Sequence, residues 1–409
     1  MKALQFTFSI PRYLLGKALG HRFPRILWSR FASLQYTDVP EPRLLGEEWV
    51  KIAVHLGGIC GSDLHLLFLD DSPSLSPFAS FPFIPGHEIV GTVIEVGPLA
   101  RDFTPGERVV VDPLLPCAAR GLEPCEACFR GDFNLCTRFT DGRLSPGILI
   151  GGCRDTGGGW GPYVVAHRTQ VLKVPPEVDD ANAVMVDPLA ISLHAVLRHS
   201  PGDGETVLVI GGGVIGICII AALRALGFRG RIVTLAKYPY QGEAARAYGA
   251  DVSILLQRGD GHYEALAEVL GGRLLRPVLG KRVLLGGADV TYECVGTGRS
   301  IDDALRLTRS RGKVVLVGLA AIPKGVDWTF IWLQELQVLG TINGALETFQ
   351  GQRRKAHEIA LHLLSQGTVD LAPLVTHQFP LEAYPEAFAT ATGKGRGKVF
   401  KVTFRHLPA

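Results

Sequence analysis

The chain lacks an uninterrupted apolar stretch of signal-peptide or membrane-span length near its start, because residues 1–6 run into Pro11, Arg12, Lys17, His21, Arg22 and Pro24. A soluble, cytoplasmic protein with no membrane span is therefore expected. It also has little excess charge: 42 basic against 39 acidic residues, spread along 409 positions, leave a net +3. No electrostatic case for a nucleic-acid partner arises. No internal repeat or low-complexity tract is visible. Residues 10–30 interleave basic side chains with Leu14, Leu15, Leu19, Phe23, Ile26, Leu27 and Trp28. This reads as an elongated hairpin or a subunit contact in preference to a membrane-surface element.

What is present begins with size. A chain of 409 residues, 47% hydrophobic, exceeds what one core usually fills, so two domains are expected. The first 185 or so residues read as short β segments broken by Gly and Pro, at 49–54, 89–96, 108–112 and 163–165. From about residue 189 apolar runs at 206–210, 232–235, 252–255, 290–293, 314–317 and 337–342 alternate with helix-length stretches. That alternation predicts an α/β doubly wound parallel sheet. A helix is predicted over 355–365 and a strand over 398–404, so residues 1–188 and 344–409 should form one domain and 189–343 the other. Residues 257–288 exceed what a compact crossover needs; 263–270 should be helix and the rest a surface excursion without assigned chemistry.

Directly after the run 207–210 comes Gly211-Gly212-Gly213-Val214-Ile215-Gly216, with glycines at 211, 213 and 216 and an apolar helix next. Such a loop allows a tight turn, a close approach of pyrophosphate and close helix packing, with the helix N-terminus supplying amides to the phosphates. An NAD site usually carries an acid about 20 residues further on. Here Ala236 holds that position, followed by Lys237 and Tyr238. A lysine that can neutralise a 2′-phosphate favours NADP(H) over NAD(H); the alternative is a solvated strand-end lysine.

Eight cysteines without a secretory signal, several of them clustered, suit metal ligation better than disulfides. Cys117, Cys125, Cys128 and Cys136 lie within 20 residues and suggest a closed, tetrahedral structural zinc site. A second, open site starts from Cys60-Gly61-Ser62-Asp63-Leu64-His65 and Gly86-His87-Glu88. Cys60 and His87 pair a soft with a borderline ligand, which suits zinc. Asp187, an acid in an apolar segment, is the candidate third ligand, its alternative being a helix cap or salt bridge. Glu88 is an alternate ligand or a group that tunes the site. Ser62 and His65 can pass a proton from the metal to solvent.

With these motifs in place the chain resembles the zinc-containing medium-chain alcohol dehydrogenases, in the branch with polyol and threonine dehydrogenases, over nearly its whole length. The resemblance implies a GroES-like, mostly β catalytic domain plus a Rossmann cofactor domain, and a homodimer or homotetramer. By position it implies Cys60, His87 and Asp187 as catalytic zinc ligands with Glu88 beside them, and Ser62 and His65 as proton relay. It further implies Gly211, Gly213 and Gly216 at the phosphates, Val295, Val317 and Thr341 lining the nicotinamide pocket, and Lys398 near the pyrophosphate. The reaction implied is hydride transfer between a small-molecule alcohol, or its aldehyde or ketone, and a nicotinamide cofactor. One departure concerns the cysteine lobe, where Leu122 stands in the family's first cysteine position and Cys117 is the nearest substitute. A longer loop must fold back to deliver it.

Two other readings use the same features differently: a metal-independent enone or quinone reductase, and a non-catalytic nucleotide-binding protein. The first has no use for Cys60, His87 and Asp187; the second has none for Ser62 and His65. Phe68, Leu69, Phe78, Phe81 and Phe83 either line a substrate pocket or pack a core, with the core reading ahead.

Overall fold

The computed structural model describes residues 1–393, 395 and 397–406. Two compact units partition the chain: Met1–Asp187 with His357–Ala409, and Pro188–Ala356. The expected boundary differed at 344–356. That stretch is the hairpin Leu346–Phe349 with Gln352–Lys355, and buried Glu347 ties it to the second unit through His194 (2.7 Å) and Arg198 (2.8 Å) on the helix Val186–Arg198.

In the first unit, Trp49–Gly58 is the central strand of a seven-stranded sheet ordered Val375–Pro380, Lys401–Arg405, Trp49–Gly58, Ile89–Val96, Arg108–Val111, Val171–Lys173, with Tyr163–His167 also on the central strand. Its alternate apolar side chains Val50, Ile52 and Val54 join Val93, Val109 and Val164 in one core, the period-2 pattern expected of a sheet with one buried face. The register of this sheet decides which polar side chains meet. Gly57 pairs antiparallel with Ile89, and Thr403 with Gly58. The residues just past one strand and just before another are thereby brought together, so Cys60, His87, Glu88 and Lys401 converge at one end of the sheet.

Residues 10–30 are not a hairpin themselves. They form a helix, Ile10–Leu19, and a 3-10 turn, Pro24–Trp28, carried between the antiparallel strands Lys2–Phe6 and Leu34–Asp38. Pro11, the second residue of the helix, brings a φ already fixed near the helical value and lacks only an N–H that the first turn leaves unpaired. Leu27 and Trp28 are buried in a core with Phe83, Phe388 and Phe404, while Phe68, Leu69 and Phe81 pack against the same cluster. Four of the five residues weighed as pocket lining are thus core or core-packed; Phe78 is 39% exposed.

The second unit is a six-stranded, all-parallel sheet ordered Val252–Leu255, Arg231–Ala236, Thr206–Ile210, Ala288–Glu293, Thr308–Leu316, Gln337–Gly340. The strand order reverses beside Thr206–Ile210, and ligands of such sheets bind past the carboxyl ends at that point. The 257–288 excursion contains the helix Tyr263–Val269 and a small hairpin, Arg273–Leu275 with Val283–Leu285. It is pinned by Lys281 on Asp302 (2.8 Å) and Asp303 (2.7 Å) and by the Tyr263 hydroxyl on Asp303 (2.8 Å).

Candidate functional site

Cys60 stands at the N-terminal cap of the helix Gly61–Phe68, where its backbone N–H donates to Asp63 Oδ2 at 2.8 Å. The other Asp63 oxygen lies 3.6 Å from His87 Nδ1. Asp63 therefore fixes both the start of the helix and the histidine ring, the carboxylate-to-histidine arrangement common behind metal ligands. Burial would lower the His87 pKa, but the charge and hydrogen bond of Asp63 and the Cys60 thiol beside the ring prevail and raise it. The surroundings favour positive charge at this spot.

Glu88 has a partner of its own. Both its oxygens are on Lys401 Nζ, at 2.5 and 2.6 Å, with the glutamate side chain 1% and the lysine 3% exposed. Gly58 makes the room, since a Cβ there would stand 1.9 Å from Glu88 Oε2. Of the two roles expected for Glu88, alternate ligand or tuning group, this pairing suits the second, because Lys401 engages both carboxylate oxygens. Burial pushes the Glu88 carboxyl up against the opposing pull of the Lys401 ammonium.

Asp187 is buried, with Oδ1 accepting from His357 Nε2 at 3.0 Å and Oδ2 lacking any hydrogen-bond partner. A buried carboxylate oxygen left bare is costly, and a cation is the ligand that chemistry calls for. Cys60, His87 and Asp187 offer sulfur, nitrogen and oxygen donors of the kind an open zinc site uses. Among the described residues they are not drawn as closely together as the four cysteines below. Ser62 and His65 lie three positions apart on the helix Gly61–Phe68, hence on one face, and His65 Nδ1 is buried without a partner.

In the cysteine lobe, the sulfurs of Cys117, Cys125, Cys128 and Cys136 all lie within 4.8 Å of one another. Cys136 Sγ is 3.6 Å from Cys117 Sγ and 3.9 Å from Cys125 Sγ; a tetrahedron with Zn–S of about 2.3 Å has edges of about 3.8 Å. The longer loop does fold back. Arg120, fully buried, donates to the carbonyls of Leu115, Asp141, Leu144, Ser145 and Gly147, and Leu122 N–H closes onto Cys117 O at 3.0 Å. Backbone N–H groups of Cys125 and Arg138 point at Cys117 Sγ and Cys136 Sγ, at 3.3 and 3.4 Å. Burial raises the Cys128 thiol and takes Cys136 to about 11, whereas at Cys125 hydrogen bonds from Cys128 and Thr137 outweigh burial and hold the thiol at about 6.

In the second unit, Gly211 has φ +109° and Gly216 packs so tightly that a Cβ would lie 1.8 Å from Gly211 O, while Gly213 faces open space. Tight turn, close packing and an open approach are the three properties a pyrophosphate loop needs. Gly213 caps the helix Val214–Ala225. Ala236 ends its strand fully buried, Lys237 is exposed with Nζ 5.3 Å from the Tyr238 ring centroid, and Tyr238 stacks on Tyr240. Val295, Val317 and Thr341 lie just past the carboxyl ends of three successive strands of the sheet, on the same edge as the glycine loop. Buried Glu293 braces that edge, accepting from Val295 N–H and Gly296 N–H, both at 2.9 Å. Lys398 is exposed, three residues before the strand Lys401–Arg405 in the first unit.

Three residues escaped sequence reasoning: Asp63, Lys401 and His357. Only Asp63 had a local signal, an acid three positions past a helix-capping residue.

A family profile described as alcohol dehydrogenase GroES-like domain matches residues 46–176, and one described as zinc-binding dehydrogenase matches 214–358. An L-threonine 3-dehydrogenase from Anaeromyxobacter sp. (strain K) is 31% identical over 88% of this chain and 93% of its own. Sorbitol dehydrogenase from Bos taurus is 30% identical over 89% and 90%. A solved structure from Sinorhizobium meliloti 1021, bound to NADP, superposes with TM-score 0.69 at 26% identity, covering 91% of this chain and 95% of that one. No described helix is long and apolar enough to cross a membrane. The chain belongs to the zinc-containing medium-chain alcohol dehydrogenase family, in its polyol and threonine dehydrogenase-like branch.

Proposed function

We propose that this protein transfers a hydride between a small-molecule alcohol, or the matching carbonyl compound, and NADP(H), at a zinc site made by Cys60, His87 and Asp187. The observation that carries the reading is the bare, buried Asp187 Oδ2 in the same unit as the Cys60 and His87 pair. Zinc held there supplies Lewis acidity toward the substrate oxygen. Asp63 orients His87, and the Glu88–Lys401 pair adds no net charge to the surroundings. Ser62 accepts the hydroxyl proton of the substrate and His65, whose Nδ1 has no other partner, takes it onward to solvent. Gly211, Gly213 and Gly216 receive the pyrophosphate against the helix N-terminus, with Lys398 a further contact; Val295, Val317 and Thr341 orient the nicotinamide. Cys117, Cys125, Cys128 and Cys136 hold a second zinc that braces their loop and takes no part in the chemistry.

The preference for NADP(H) rests on Ala236 and Lys237: no carboxylate is there to bind a ribose hydroxyl, and an exposed ammonium is there to meet a phosphate. Steady-state oxidation of a panel of polyols, amino alcohols and simple alcohols, with NAD and NADP in parallel, tests reaction and cofactor together. Turnover with at least one alcohol and a higher kcat/KM with NADP are expected; a nicotinamide absorbance that never changes across the panel would sink the proposal. A homodimer or homotetramer is proposed on the open edge strand Gln337–Gly340 and the exposed Trp328, Trp332 and Leu333 near it in the chain. Sedimentation should give a mass of two or four chains, and a single-chain mass contradicts it.

A further inference from the structure

His357 is 1% exposed and reaches across 170 positions of sequence to the Asp187 carboxylate. Its Nε2–H on Asp187 Oδ1, at 3.0 Å, ties the helix Ala356–Ser365 to the first turn of the helix Val186–Arg198. A carboxylate on a short side chain can pivot about its terminal torsion, presenting either oxygen or both. With Oδ1 held, the pivot is stopped and the two oxygens are no longer equivalent. Oδ2 is the one left buried and without a partner. Packing alone does not account for that asymmetry, because a carboxylate placed only to join two helices would have both oxygens satisfied or one exposed.

We infer that His357 is a positioning residue for the metal site: by holding Asp187 Oδ1 it presents Oδ2 as the carboxylate's one ligand atom, aimed and ready before metal arrives. The inference rests on the reading of Asp187 as a metal ligand. Outer groups that orient a ligand govern metal affinity as well as activity, so the effect is legible without any turnover assay. Gln reproduces the reach of Nε2 and carries an N–H donor, whereas Asn carries the same donor on a shorter arm. Both are polar and neither is larger than His, so a folded protein is expected from each.

The test uses the full-length, zinc-loaded protein. Wild type, His357→Gln and His357→Asn are equilibrated against a graded chelator, and zinc retained per chain is counted. Release should occur in two steps, one for each site. His357→Asn should lower affinity in one step by about 10- to 100-fold, His357→Gln should stay within about 3-fold of wild type, and the other step should not move. Equal release midpoints for Asn and wild type overturn the inference. Asp187→Ala is the control that separates the two claims: if it releases zinc easily while His357→Asn does not, only the positioning role falls. If Asp187→Ala also retains zinc like wild type, the ligand reading itself falls.

Discussion

Replacing Cys60 with serine is expected to reduce alcohol turnover by about 1,000-fold or more while the protein remains folded and still binds nicotinamide cofactor. The magnitude comes from what the metal supplies: several kcal/mol of charge stabilisation at the reacting oxygen, at about 1.4 kcal/mol for each factor of ten. The hydroxyl of serine is a far weaker zinc ligand than a thiolate at neutral pH. It nevertheless keeps the size and polarity of the helix cap, so the helix Gly61–Phe68 and the Asp63 bond to the residue-60 N–H should persist. The proposed cofactor contacts do not include Cys60, so the cofactor Kd should be unchanged. Kinetics and cofactor titration on the same preparation check both halves; near-normal alcohol oxidation by folded Cys60→Ser contradicts the assignment of Cys60.

The largest effect on stability is expected from Lys401→Met. The Glu88 and Lys401 side chains are 1% and 3% exposed and bonded through both carboxylate oxygens. Removing one partner of such a pair strands a charge in the interior, at a cost of about 3–5 kcal/mol. Glu88 can escape that state only by taking up a proton, so the loss should shrink as pH falls through the variant's raised Glu88 pKa. Removing both charges is a different matter: Glu88→Gln with Lys401→Met leaves only neutral groups, and buried pairs replaced by neutral residues are often close to break-even. Chemical denaturation of the two single variants and the double variant, at neutral and at acid pH, measures this. A double variant as unstable as Lys401→Met would mean that packing, not the uncompensated charge, accounts for the loss.

Much of the architecture could be read from the residues because each signal was local. The strand expected over 89–96 and those over 206–210 and 252–255 have those bounds in the structure, since apolar β-branched runs there are cut off by Gly, Pro and Asp. The motif around Cys60 and His87 was legible for the same reason, as was the glycine loop between a strand and a helix. What was not legible depends on register. Lys401 lies 313 positions from Glu88 and His357 lies 170 from Asp187, and only the pairing of Lys401–Arg405 beside Trp49–Gly58 brings the former into place. Residues 344–356 were misplaced because the Glu347 contacts with His194 and Arg198 are equally non-local. The cysteine lobe lay between these cases. Its four thiols were visible, but the return of Cys117 depends on a buried arginine holding five carbonyls, for which no spacing rule exists.

The central claim, that alcohol chemistry here runs on a metal held by Cys60, His87 and Asp187 and separate from the one in the cysteine lobe, is tested most directly by counting zinc. Wild type should carry about two zinc per chain, Cys60→Ser about one with activity lost, and Cys117→Ser about one with the remaining zinc still supporting turnover. Zinc-free wild type that oxidises alcohols at its full rate, or a Cys60→Ser protein that retains two zinc, would contradict the account.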